Sequence, residues 1–169
     1  SRGLGDVYKR QPAGLVLHTG DWKRDPTPVI GLPTDEKRLR EIGDEGVLAL
    51  ICDSTNITRE GESPSEADVA IGLRDVISKA TGRVVVTTFA SNVARLRSVA
   101  EAAVACGRTV VTVGRAMERT IQVAREIGYL EGIPGFLSPQ AYSALTRNKI
   151  VILATGSQGE PRAALARIA

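Results

Sequence analysis

Two aspartates in this sequence stand where a carboxylate can do chemistry. Asp21 closes the run His18-Thr19-Gly20-Asp21 after the apolar stretch Ala13 to Leu17. Asp53 opens the run Asp53-Ser54-Thr55-Asn56 after the apolar stretch Val47 to Cys52. A carboxylate delivered by a buried strand onto a tight turn can ligate zinc, magnesium or manganese. A second acid at a neighbouring strand end can be catalytic or can support a metal ligand. The same side chains also hold turns by accepting hydrogen bonds from nearby main-chain N–H groups. On spacing alone both readings stay open for Asp53, and turn-holding is favoured for Asp21. His18 is the single histidine. One histidine cannot build a zinc site, and it reads as a packed or surface residue.

Two further clusters are suited to anions. Thr87 to Asn92 (TTFASN) and Thr155 to Pro161 (TGSQGEP) each follow an apolar run and lead into a helical pattern. Free N–H groups at a helix start attract phosphates, so Ser91, Asn92, Ser157 and Gln158 are candidate phosphate-binding residues. Helix capping by Ser91, Asn92 or Ser157 explains the same residues equally well. The sequence has no GxxxxGK[ST] loop and no Ser-His-Asp arrangement, which excludes a Walker-type site and a serine-hydrolase triad.

The elements that must position these clusters alternate along the chain. Five apolar runs read as buried strands: Ala13 to Leu17, Val47 to Cys52, Arg83 to Phe89, Thr109 to Val113 and Ile150 to Ala154. Between them lie helical patterns. The first is short, opens at Thr34-Asp35-Glu36 and stops at Gly43. The second opens on the capping box Ser63-Pro64-Ser65-Glu66 and buries Val69, Ala70, Leu73, Val76, Ile77 and Ala80. Asn92 to Cys106 and Arg115 to Ile127 follow, the latter with Met117, Ile121, Ala124 and Ile127 on one face. Ser138-Pro139 starts a short helix to about Leu145, and a last helix begins near Pro161. Asp25 to Pro33 is a proline-rich loop. From Glu66 onward the order indicates an α/β fold, a mainly parallel sheet flanked by helices, whose ligands gather at the C-terminal strand ends.

Composition bounds the answer loosely. The chain has 169 residues, with 43% hydrophobic, 24% charged and 4% aromatic residues, so its core must be aliphatic. The net charge of +3 is compatible with a nucleic-acid partner without requiring one. Cys52 and Cys106 lack CxxC spacing and are expected to be buried, reduced thiols, as in a cytoplasmic protein. No apolar run reaches the roughly 18 residues of a membrane span, and no signal peptide is visible.

Ser1 to Gln11 reads as foreign. GATGTGTATAAGAGACAG, part of a transposon-type sequencing adapter, translates to Asp6 to Gln11, so residues 1–11 are expected to lie outside the fold. They hold three basic residues and one acid, which leaves the remainder at +1.

HTGDWKRDPTP, GDEGVLALICDSTN, SPSEADVA, VVVTTFASNVARLRSVAEAA, VGRAMERTI and TGSQGEPRAALARIA occur in that order. Together they resemble the ribonuclease J family, metallo-β-lactamase/β-CASP nucleases, over essentially all of Pro12 to Ala169. The resemblance implies that residues 12–61 are the C-terminal part of the first metallo-β-lactamase half and residues 62–169 a partial β-CASP domain. It implies that Asp21 bridges two zinc ions and that Asp53 is the first β-CASP signature acid, supporting an active-site histidine. His18 has no family counterpart as a ligand. The family's HxHxDH cluster is expected before Pro12 and its later histidines after Ala169, so this segment alone is expected to be inactive. The implied activity is metal-assisted hydrolysis of RNA phosphodiesters, as a 5′-to-3′ exonuclease with some endonucleolytic cleavage. The implied partner is RNA, with Ser91, Asn92, Ser157 and Gln158 on its backbone, no membrane, and a homodimer or homotetramer in the cytoplasm. The alternatives are a non-catalytic α/β module binding nucleotide or nucleic-acid phosphate, and a β-CASP hydrolase acting on DNA.

Overall fold

A computed structural model describes residues 7–168. The chain divides into two compact units, Ser1–Ser65 and Glu66–Ala169.

The first unit holds a three-stranded sheet in the order β1-β2-β3. β1 is Val7–Gln11, β2 is Gly14–Gly20 and β3 is Val47–Cys52. β1 and β2 are antiparallel across a two-residue turn, with Gln11 opposite Gly14. β1 therefore belongs to the segment expected to lie outside the fold. Its pairing runs through main-chain groups, which any extended segment can offer to an open strand edge. β2 and β3 are parallel, joined by α1, Glu36–Asp44. Asp35 caps α1, its Oδ1 accepting from the Arg38 N–H at 2.9 Å. Gly43 does not stop the helix. The turn comes at Gly46, whose φ of 87° suits glycine.

Burial in this unit is one-sided. Leu39, Ile42, Val47, Leu15 and Leu17 pack together where α1 meets the sheet. β3, expected to be buried, exposes Leu48, Leu50 and Ile51 by 65%, 57% and 51%. Cys52, expected to be buried, is exposed as well. One helix covers one face, and an apolar run at a sheet edge needs cover on both.

The second unit is a parallel sheet in the order β4-β6-β5. β4 is Val84–Thr87, β5 is Thr109–Val113 and β6 is Ile150–Ala154. The helices α2 (Glu66–Lys79), α3 (Val93–Ala105) and α4 (Arg115–Glu126) alternate with the strands. Ile77, Leu96, Val99, Met117, Ile121, Val151 and Leu153 form its main core, and Val111, Ile150, Ile152 and Ala164 a second on the other face. The α/β reading therefore holds, with a central strand wholly buried.

Several boundaries differ from the expected ones. α2 starts at Glu66, so Ser63 and Pro64 precede the helix. Glu66, expected to complete a capping box, is the first residue of the helix. Its carboxylate takes a two-pronged bond from Arg95 of α3, with contacts of 3.1 to 3.3 Å. A charged fork–fork pair is the stronger partner for that acid. Val76 is 62% exposed and Ile127 58% exposed, because the α2 face in contact narrows to Leu73 and Ile77, and α4 ends before Ile127. Pro139–Ala144 is a 3-10 helix rather than an α-helix. The last helix, α5, is Leu165–Ile168, since residues 157–164 are drawn into a tight loop.

Candidate functional site

Two strand edges carry the candidate residues, one in each unit. In the first, β2 and β3 run parallel and Gly20 pairs with Cys52. Asp21 and Asp53 are the first residues past the two strands. Adjacent strands lie about 4.8 Å apart, so the two acids leave neighbouring strand ends at one C-terminal edge. The register also slips between His18 and Gly20. Such a bulge re-aims the residues that follow it. Thr19 is buried and its Oγ1 donates to the Gly20 carbonyl at 2.9 Å. His18 Nδ1 accepts from the Gly20 N–H at 3.0 Å, so the imidazole holds the turn.

The two carboxylates differ in what already engages them. Asp53 Oδ1 accepts from Thr55 Oγ1 at 2.5 Å and from the Thr55 N–H at 2.8 Å. The Thr55 hydroxyl and then the Thr55 N–H hold the Asp53 carboxyl below the usual aspartate range, against an opposing effect of burial and with a lesser contribution from the Ser54 N–H. Turn-holding is thus one thing Asp53 does. A carboxylate has acceptor capacity beyond these bonds, so support of an imidazole is compatible with it. Asp21 is exposed, and among the described residues nothing hydrogen-bonds or pairs with its carboxylate.

Among the described residues no cluster of three or more His, Cys, Asp or Glu gathers to hold a metal ion. A zinc site takes about four ligands, and the described residues here do not hold one by themselves. Asp21 fits as a single ligand of a larger set.

In the second unit Thr87, Ala154 and Val113 form one row across β4, β6 and β5. Ser91 and Asn92 lie in the loop leaving β4, and Ser157 and Gln158 in the loop leaving β6, its paired neighbour. Asn92 caps α3, its Oδ1 accepting from the Arg95 N–H at 3.0 Å. Ser91, Ser157 and Gln158 are exposed. The Gln158 N–H donates to Glu160 Oε2 at 3.2 Å, a partner of Gln158 that the spacing did not reveal. Thr155 ties the loop down. Its carbonyl accepts from the Leu165 N–H at 3.0 Å and its Oγ1 from the Ala164 N–H at 3.2 Å. Gly156 has a φ of 125°, and a Cβ there would lie 2.7 Å from the Cβ of Leu165, so only glycine fits. A cavity of about 220 Å³ lined by Val104, Arg108, Ile133 and Phe136 opens at the start of β5, away from this edge.

An open parallel sheet with polar loops at its C-terminal edge defines an α/β domain of the kind that receives ligands at that edge. The family described as "Ribonuclease J, beta-CASP domain" matches residues 81–169, and the chain belongs to that family. It is 56% identical over 160 residues to a ribonuclease J of Sinorhizobium meliloti, covering 95% of this chain and 28% of the relative. A ribonuclease J of Corynebacterium glutamicum is 47% identical over 161 residues, 95% of this chain and 22% of the relative. One of Thermus thermophilus is 44% identical over 163 residues, 96% and 28%. The chain thus spans about a quarter of the length of these relatives. Among the described residues no helix is long and apolar enough to cross a membrane.

Proposed function

We propose that this chain is part of a metal-using ribonuclease that hydrolyses RNA phosphodiester bonds, as a 5′-to-3′ exonuclease with endonucleolytic cleavage. One observation carries the reading. Asp21 and Asp53 each follow one member of the Gly20–Cys52 pair at adjacent strand ends, in a chain whose relatives bear the name ribonuclease J. In this reading Asp21 gives one ligand to a metal site, with zinc as the metal, and the remaining ligands come from polypeptide outside this chain. Asp53 orients an imidazole supplied from the same source. Residues 12–61 are the end of a metallo-β-lactamase-like half and residues 62–169 part of the β-CASP domain. Ser91, Asn92, Ser157 and Gln158 hold the RNA backbone. The working protein is a cytoplasmic homodimer or homotetramer, and this chain alone binds no metal pair.

The test is a cleavage assay on a full-length polypeptide that carries this segment. Single-stranded RNA and DNA of one sequence, each labelled at the 3′ end, are incubated with and without a chelator. Shortening of RNA that the chelator stops is the expected result. Intact RNA would leave a phosphate-binding α/β module, and cleavage of DNA alone would change the substrate class.

A further inference from the structure

The chain has two phenylalanines, and the fold uses them differently. Phe136 packs against the core of the second unit, with the Arg125 guanidinium 5.3 Å from its ring centre. Phe89 joins no core cluster and is 50% exposed. It stands just past β4, on the row of strand ends that carries Ser91, Asn92, Ser157 and Gln158. Its backbone is fixed on both sides. The Thr88 N–H donates to the Ala154 carbonyl at 3.1 Å, and the Phe89 carbonyl accepts from the Asn92 N–H at 3.1 Å. A half-bare ring is thus held on a short, pinned bend at the edge where open parallel sheets receive ligands.

The charges on this edge are mixed. Arg115 is the residue after Gly114, at the end of β5, two strands from Phe89 and so about 10 Å across the sheet. It is exposed, as is Arg162 in the loop after β6, and neither pairs with an acid among the described residues. Four other arginines of the second unit are engaged: Arg95 by Glu66, Arg97 by Glu101, Arg108 and Arg125 by carbonyls. Two carboxylates sit nearby. Glu160 bonds the Gln158 N–H, and Glu118 lies in the first turn of α4. Charge alone therefore gives weak attraction for a polyanion, and an apolar contact must supply much of the affinity.

We propose that Phe89 is a stacking platform for one base of single-stranded RNA, with Arg115 taking a phosphate of the same strand across the β4-β6-β5 edge. The inference rests on reading the protein as one that handles RNA. Every base has a π-face, so stacking on an aromatic ring binds single strands with little regard to sequence. A guanidinium presents a planar fork that fits a phosphate.

The test is anisotropy of this chain with a labelled single-stranded RNA decamer and with a decamer of the same backbone whose riboses are abasic. The intact decamer binds more tightly than the abasic one. Phe89→Leu, which keeps apolar bulk and removes the π-face, weakens the intact decamer roughly 5- to 100-fold and leaves the abasic one unchanged. Phe89→Trp restores binding. Arg115→Gln weakens both decamers and flattens the salt dependence. Equal affinity of the wild-type chain for the two decamers, or no binding of either, overturns the inference without any variant. Cleavage of RNA by the full-length polypeptide is read separately, so the platform can fail while the ribonuclease reading stands.

Discussion

β6 and β3 are both unbroken apolar runs, IVILA and VLALIC, yet all five residues of β6 are buried while β3 leaves Leu48, Leu50 and Ile51 more than half exposed. β6 lies between β4 and β5, with a packed cluster on each face. β3 lies at the edge of its sheet, with α1 as its cover. The comparison teaches that an apolar run states a demand for burial on two faces. Whether the demand is met depends on what the rest of the polypeptide brings. The same contrast extends to chemistry. The covered sheet displays hydroxyls, amides and charges of both signs at its C-terminal edge, and the half-covered one displays two carboxylates.

The largest expected effect breaks the contrast at its centre. Leu153→Ala removes a fully buried side chain of β6 and is expected to cost about 2–5 kcal/mol. Leu50→Ala in β3 is expected to change stability by no more than about 0.5 kcal/mol. Chemical denaturation of the two variants measures both, and equal losses would show that β3 is covered in solution. Next is Gly156→Ala. Its φ of 125° and the 2.7 Å approach to Leu165 predict a loss of about 1–3 kcal/mol, read as a lower melting temperature. A neutral substitution would mean that the 155–165 loop is not held as described.

The smallest effect sharpens the acidic edge. The Thr55 hydrogen bonds lower the Asp53 pKa below its unfolded value. Their stabilisation is therefore present above the unfolded pKa and is lost as pH falls through the folded one. The Thr55 amide resonance should move with a midpoint below the ordinary aspartate value, and Asp53→Asn should abolish the movement. A midpoint at or above the ordinary value would contradict these bonds.

Much of the second unit was legible because its helices and strands carry unambiguous periods. Ile77, Leu96 and Met117 fall on the faces that the spacing marks, and VVVT, TVVTV and IVILA become parallel strands. Less legible were the features set by tertiary partners. Glu66 suits a capping box by sequence, and only the fold brings Arg95 to it. VLALIC carries no sign of its own exposure. For the acids, spacing named Asp21 and Asp53, but the Gly20–Cys52 register that sets them at adjacent strand ends is a long-range property. For Ser91 and Asn92 capping is the rival explanation to phosphate binding, and the Asn92 cap is indeed made. Glu160 as the partner of the Gln158 N–H, and the exposure of Phe89, had no marker in composition or period.

The proposed metal site centres on the carboxylate of Asp21, which nothing engages among the described residues. The most direct measurement is metal content and RNA cleavage of a full-length polypeptide carrying this segment, with and without Asp21→Ala. Because Asp21 is exposed and unpaired among the described residues, the variant should keep the wild-type melting temperature in the chelated state while losing bound metal and RNA hydrolysis. A variant that keeps both its metal and its activity would contradict the assignment.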